Sequence, residues 1–311
     1  MQMEIGEVSF SINVSANVPY ILQKHDPTYQ SFFKKVNQGK NKTSETIDIK
    51  INLELGNLPD TGKLTKIFDS GQSWLMFRGG AEDDMYWLAL HPPAFKKPVW
   101  VAQFNRDIAE VTVYCSKKIT RKKQGKIMIS NPVRHPLDQV LFMYILASKN
   151  GALIHAAGIE INGKGFIFPG PSGAGKSTLS RLLNDQRRQN NPNLFVLSDE
   201  RIVVRKINGT LKAFGTPWSG QAGIALNKST PLCGIYFLHH GTDNRVKELK
   251  PREALEKLLK VTSIPWYDRE VMPQILRFCE ELISSVPFFE LHFTPDHRAV
   301  KFLEKICASG G

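Results

Sequence analysis

The stretch Gly165-Phe166-Ile167-Phe168-Pro169-Gly170-Pro171-Ser172-Gly173-Ala174-Gly175-Lys176-Ser177-Thr178-Leu179 runs from an apolar strand, through a glycine-rich turn, into the start of a helix. Residues 170 to 177 satisfy G-x-x-x-x-G-K-[ST] in full, in the strand-to-helix context that such a loop requires. Glycines there let consecutive backbone N–H groups turn inward around an oxyanion, and the helix N-terminus adds partial positive charge. The expected nucleotide contacts are therefore Gly170, Ser172, Gly173, Ala174, Gly175, Lys176, Ser177 and Thr178. Lys176 is expected to reach the β- and γ-phosphates of ATP, and the Ser177 hydroxyl to take Mg2+.

Working outward, Asn162-Gly163 separates the apolar runs 152–160 and 166–169, and Asn208-Gly209 separates 202–206 from 211–214. Asn-Gly between apolar runs is a strong hairpin signal, because both turn residues must tolerate positive φ. Two hairpins thus bracket the segment 170–200. Within that segment Leu194-Phe195-Val196-Leu197 leads into Ser198-Asp199-Glu200, which supplies a carboxylate at a strand end. Asp199 is the expected metal carboxylate or general base. Glu200, if the strand continued regularly, would point to the opposite face. His155 lies in a strand that the first hairpin sets beside the one feeding the loop, so it is a candidate for catalysis as well as for the core.

Further along, Gly215-Thr216-Pro217-Trp218-Ser219-Gly220 reads as a loop with an exposed aromatic that would shape an acceptor pocket, and His239-His240 as a strand end. Arg201 and Arg205 are near enough in sequence to assist transfer, with solvated strand positions as the plainer reading. Helical spacing marks 137–147, ended by Asn150-Gly151, and also 251–259, 271–284 and 298–307; Phe289, Leu291 and Phe293 alternate as a late strand.

Residues 1–135 read as a β-rich, antiparallel domain, with alternation over 46–53 and β-branched or aromatic runs at 99–104 and 111–114; residues 136–311 form the second domain. The net charge of +12 owes much to the run 116–126, read as a solvated hairpin or loop. Four widely spaced cysteines, without zinc-like spacing, read as free thiols. No apolar run is long enough to span a membrane and no secretory signal opens the chain, so the expected location is the cytoplasm.

The hairpin bearing His155-Ala156-Ala157-Gly158, the phosphate loop and the strand ending Ser198-Asp199-Glu200 resemble the kinase domain of HPr kinase/phosphorylase. The layout is also similar to the nucleotide core of phosphoenolpyruvate carboxykinases. HPr-kinase-related bacterial proteins found beside peptide-modification genes resemble it more closely still. They share the segments that stand here as 155–158, 198–200, 215–220, Pro231-Leu232, Val286-Pro287 and Glu290-Leu291. The resemblance implies an α/β fold of α+β character with hairpins flanking the phosphate loop, Lys176 and the loop backbone holding the phosphates, Ser177 taking magnesium, Asp199 as general base or metal carboxylate and His155 near the transferred group; Glu200, beside Asp199, is a further catalytic candidate. The chain departs from HPr kinase in having Asp199-Glu200 for two aspartates and in lacking its Glu-Arg-Gly signature, so HPr itself and phosphorylase activity are not carried over; nor is a hexamer, because the N-terminal domain does not resemble that of HPr kinase.

These readings lead to one expected activity, ATP- and Mg2+-dependent transfer of the γ-phosphoryl group to a hydroxyl of a peptide or protein, with a small-molecule acceptor left open. Two alternatives stand beside it: a nucleotide-gated binding protein, and a nucleic-acid-associated ATPase using the basic run, against which the absence of helicase-type motifs argues. A homo-oligomer is left open.

Overall fold

The computed structural model describes residues 1–15, 20–22, 27–34, 47–79, 84–123, 125–189 and 191–309. It is a mixed α/β structure whose chain divides into two compact units, Met1–Ile145 and Leu146–Gly311.

The first unit carries β1 (Gln2–Ile5), β2 (Val8–Val14), β3 (Tyr20–Leu22), β4 (Ile49–Leu55), β5 (Thr65–Asp69), β6 (Trp74–Arg78), β7 (Tyr86–Leu90), β8 (Trp100–Phe104), β9 (Glu110–Cys115), β10 (Thr120–Lys123) and β11 (Lys126–Ile129). Eight of these form one sheet in the order β1-β2-β4-β9-β8-β7-β6-β5. The expectation of an antiparallel domain needs correction, because β2–β4 and β4–β9 pair in parallel. The long connections 15–48 and 56–109 make this possible, since parallel neighbours need a crossover where antiparallel ones need only a tight turn. The basic run forms the β10–β11 hairpin. Helix α1 (Leu137–Ser148) is apolar on nearly every side. Within this unit its Phe142 stacks on Phe10, and Tyr144 meets Tyr86 and Phe104 edge-on. Such packing explains why the division falls inside α1 and not ahead of it.

The second unit opens with β12 (Gly151–Ile161) and continues through β13 (Lys164–Pro169), α2 (Lys176–Gln189), β14 (Leu194–Ser198), β15 (Arg201–Ile207), β16 (Thr210–Phe214), β17 (Ser229–His240), β18 (Arg245–Glu248), α3 (Pro251–Val261), α4 (Met272–Ser285), β19 (Phe288–Phe293) and α5 (His297–Ser309). Both Asn-Gly turns form tight hairpins with both residues at positive φ: Asn162 at 52° and Gly163 at 79°, Asn208 at 49° and Gly209 at 80°. Helix α2 buries Leu179 and Leu183 in a core shared with Val196, Phe168, Phe293 and Leu303.

Strand β12 organises the site. Residues 151–155 pair with β15, while 158–161 pair with β14 along the same edge, and β13 occupies the other edge. The chain must therefore bend between β14 and β15, at Asp199-Glu200, directly opposite His155–Gly158. The Ala156 N–H donates to the Glu200 carbonyl at 3.1 Å across this bend. The packing is close here: a methyl at Gly158 would lie 2.4 Å from Ile202 Cδ1, so that side chain would have to move.

Gly215 closes the same region. A methyl on it would lie 2.0 Å from the Leu226 carbonyl oxygen and 2.7 Å from that of Leu197, both backbone atoms with little freedom to retreat. Gly215→Ala is expected to destabilise the chain by about 2 kcal/mol through overpacking. A urea titration checks this; an unchanged midpoint would mean the loop shifts freely.

Candidate functional site

Strand β13 delivers the loop 170–175 to the start of α2. Gly173 and Gly175 adopt φ of 85° and 98°, a region that strongly favours glycine. At Gly175 a methyl would also strike Phe293 Cζ at 2.6 Å. The loop's first turn is closed by Ala174 N–H donating to the Pro171 carbonyl at 3.2 Å, and α2 begins with Leu179 N–H donating to Gly175 at 2.9 Å.

Lys176 is buried at 5% exposure, yet its Nζ reaches the loop mouth, donating to the carbonyls of Gly170 at 2.8 Å and Pro171 at 3.0 Å. Burial pushes its ammonium pKa down, while Glu200 and Asp199 oppose that effect. An open cleft of about 180 Å³ is lined by Ser172, Gly173, Gly175, Lys176, Ser177, Thr178, Glu200, Gln221 and His240. Gly170 and Ala174 are not among its lining residues; Ala174 instead packs into the core beneath.

Asp199 is fully buried below this cleft. Its Oδ1 accepts from the backbone N–H groups of Gly220 at 2.9 Å and Ile224 at 3.2 Å, and its Oδ2 from Ala222 N–H at 2.7 Å. The Ser177 hydroxyl donates to the same Oδ2 at 3.2 Å. One carboxylate thus ties the start of α2 to the loop 215–224, a strong arrangement because charge-assisted bonds gain from low local dielectric.

Glu200 does not face away from Asp199, as a regular strand would require. The bend turns both toward the same loop: a methyl at Gly220 would lie 2.9 Å from Asp199 Oδ2 and 2.9 Å from Glu200 Oε2. His155 Nε2 sits 2.9 Å from Glu200 Oε1, though off the ideal line for its N–H. This contact, ahead of the charges of Lys176 and Arg201, holds the Glu200 carboxyl below its usual range against the opposing effect of burial.

Two other expectations change. Trp218 is buried at 6%, so it is not an exposed aromatic. Packing of the loop 215–224 around Asp199 turns the indole inward, and the Trp218 carbonyl accepts from the buried Ser198 hydroxyl at 3.4 Å. Nor are the two arginines solvated. Arg205 is 8% exposed, with Nε 3.4 Å from the Lys149 carbonyl, and Arg201 donates to Ser263 Oγ at 3.4 Å.

Sequence reading missed His240 as a cleft residue. Its Nε2 lies 2.8 Å from the Gly173 carbonyl and its ring stacks on Phe293. Its position at the end of a strand was visible, but the parallel pairing of β17 with β13 that brings it to the loop was not.

Among the described residues no group of three His, Cys, Asp or Glu side chains is assembled to hold a metal, and no helix is long and apolar enough to cross a membrane. No curated protein matches the chain. Among solved structures, the Hpr(Ser) kinase/phosphatase from Coxiella burnetii is weakly similar, at 13% identity over 50% of this chain and 88% of that one, with a TM-score of 0.30. The family model described as SynChlorMet cassette protein ScmC matches residues 114–306, more than half of the sequence, and the chain belongs to that family.

Proposed function

We propose that the protein is a phosphotransferase that takes the γ-phosphoryl group of ATP and places it on a hydroxyl, that of a Ser or Thr side chain of a peptide or protein. The observation that carries this reading is the gathering of Lys176, Ser177, Thr178 and Glu200 around one cleft at the mouth of a glycine loop, with Asp199 anchored beneath. The description of the family as a cassette protein supports a peptide made alongside it as acceptor.

The residues suit magnesium. Ser177 Oγ is a hard oxygen donor lining the cleft, with the Asp199 carboxylate 3.2 Å behind it to orient the hydroxyl and add negative charge, and an ion held mainly by phosphate oxygens and water needs only one or two protein ligands. Bound there, magnesium would neutralise charge on the β- and γ-phosphates. Loop amides and Lys176 hold the phosphates in line, so most of the rate comes from positioning and charge stabilisation.

Asp199 and Glu200 divide the remaining work. Every Asp199 oxygen already accepts protein donors, which suits it to positioning Ser177 and the loop 215–224. Glu200, at the cleft wall beside His155, is the base we assign: the acceptor oxygen attacks the γ-phosphorus, its proton passes to Glu200, and the bond to the β-phosphate oxygen breaks to leave ADP.

Label transfer from ATP to candidate peptides tests this. Glu200→Gln is expected to reduce transfer about a hundredfold with nucleotide binding retained. Because the Glu200 carboxyl is held low, a base that works only when ionised stays competent below the usual carboxylate range and fails as pH falls through that lowered value. The acid limb of the wild-type rate profile should therefore lie below that range and vanish in Glu200→Gln. Nucleotide binding without transfer to any acceptor would favour a nucleotide-gated binding protein.

A further inference from the structure

Resting on that reading of the phosphate loop, we infer that the cleft at the chain turn after β17, beside the end of β19, is the nucleoside subsite, taking the base and ribose of the bound nucleotide. Strands β13, β17 and β19 run parallel and adjacent, so their carboxyl ends, at Pro169, His240 and Phe293, open on one edge. Ligands of parallel sheets collect at that edge. The phosphate loop follows the first of these ends; a second cleft of about 440 Å³, lined by His240, Gly241, Thr242, Asp243, Arg245 and His292, follows the second and borders the third. That size falls within the range of small-molecule sites.

His240 lines both clefts and so joins them. Its ring is held from two directions, by the Gly173 carbonyl and by the face of Phe293. The rim is also fixed: Gly241 N–H donates to the Phe293 carbonyl at 3.0 Å, and Asn244 both accepts from Thr294 N–H at 3.0 Å and donates to Thr294 Oγ1 at 3.1 Å. A side chain on Gly241 would meet the Asp243 carbonyl oxygen at 2.9 Å, so the turn is tight. Asp243, half exposed and only loosely paired with Arg245 at 3.6 Å, offers acceptors for ribose hydroxyls. The carboxylate flank, with Asp199, Glu200 and His155, lies on the opposite side of β13, where β12 pairs with β14 and β15. This leaves the γ-phosphoryl end for the acceptor and sends the nucleoside the other way, past His240.

Binding of ATP and of inorganic tripolyphosphate, each with magnesium, to the full chain separates the two halves of the site. Asp243→Ala is expected to weaken ATP about tenfold and to leave tripolyphosphate unchanged. Thr242→Trp, which fills the cleft from an exposed turn, should weaken ATP at least as much, again without touching tripolyphosphate. Melting temperatures equal to wild type would confirm that both variants fold. If wild type binds both ligands and neither variant discriminates between them, the subsite is overturned while the phosphate loop stands. If wild type binds neither, the phosphate loop reading fails and the inference falls with it.

Discussion

Lys176→Ala is expected to lower phosphoryl transfer about a thousandfold, the scale seen when a preorganised charge donor is removed from a developing anion. Its ammonium is the cation at the loop mouth, held there by two carbonyls of the same loop. Alanine is a better helix former than lysine, so helix α2 should persist, and a melting temperature reads the cost of the two loop carbonyls left without their donor. Lys176→Arg should not restore the rate, because a planar guanidinium does not fit where a compact ammonium turns back on its own loop. Transfer rates at saturating acceptor, with nucleotide affinity measured separately, decide the matter. Rates within tenfold of wild type would remove Lys176 from the reaction.

Asp199→Ala is expected to cost about 3 kcal/mol or more of folding stability, because it strands buried N–H groups of Gly220, Ala222 and Ile224. Transfer falls too, since Ser177 and the loop 215–224 lose their common anchor. Asp199→Asn should be nearly as damaging: one side of the new amide turns a donor toward donors. Denaturant midpoints for both variants, set beside their residual transfer, separate positioning from direct chemistry. A variant as stable as wild type but without activity would mean that Asp199 acts on the reacting groups and that the hydrogen-bond network is incidental.

The glycine-rich strand-to-helix loop, both hairpins and the strand leading into Asp199 were legible because each is specified by residues close together in the chain. Asn-Gly admits the positive φ of a tight turn, and glycine at 173 and 175 admits the loop's backbone. Helices α3 to α5 follow from apolar spacing in the same way. The orientation of Glu200 was not legible, because it depends on β12 exchanging one partner for another along its edge. Trp218 misled for a related reason: glycine and proline announce a loop but do not tell what that loop folds against. The parallel pairs of the first unit were hidden too, since they join strands separated by long connections.

Short-range steric and hydrogen-bonding preferences within the chain were thus enough to specify a glycine-rich strand-to-helix loop flanked by hairpins, with Lys176 and Ser177 opening the helix and Asp199 just past the end of β14. Long-range sheet pairing brought Glu200 to His155 and carried His240 to Gly173, and packing of the loop 215–224 surrounded Asp199 with backbone donors. Those contacts join residues tens of positions apart, and the free energy that selects them comes from burying the shared core beneath α2 and α5, which no local pattern encodes.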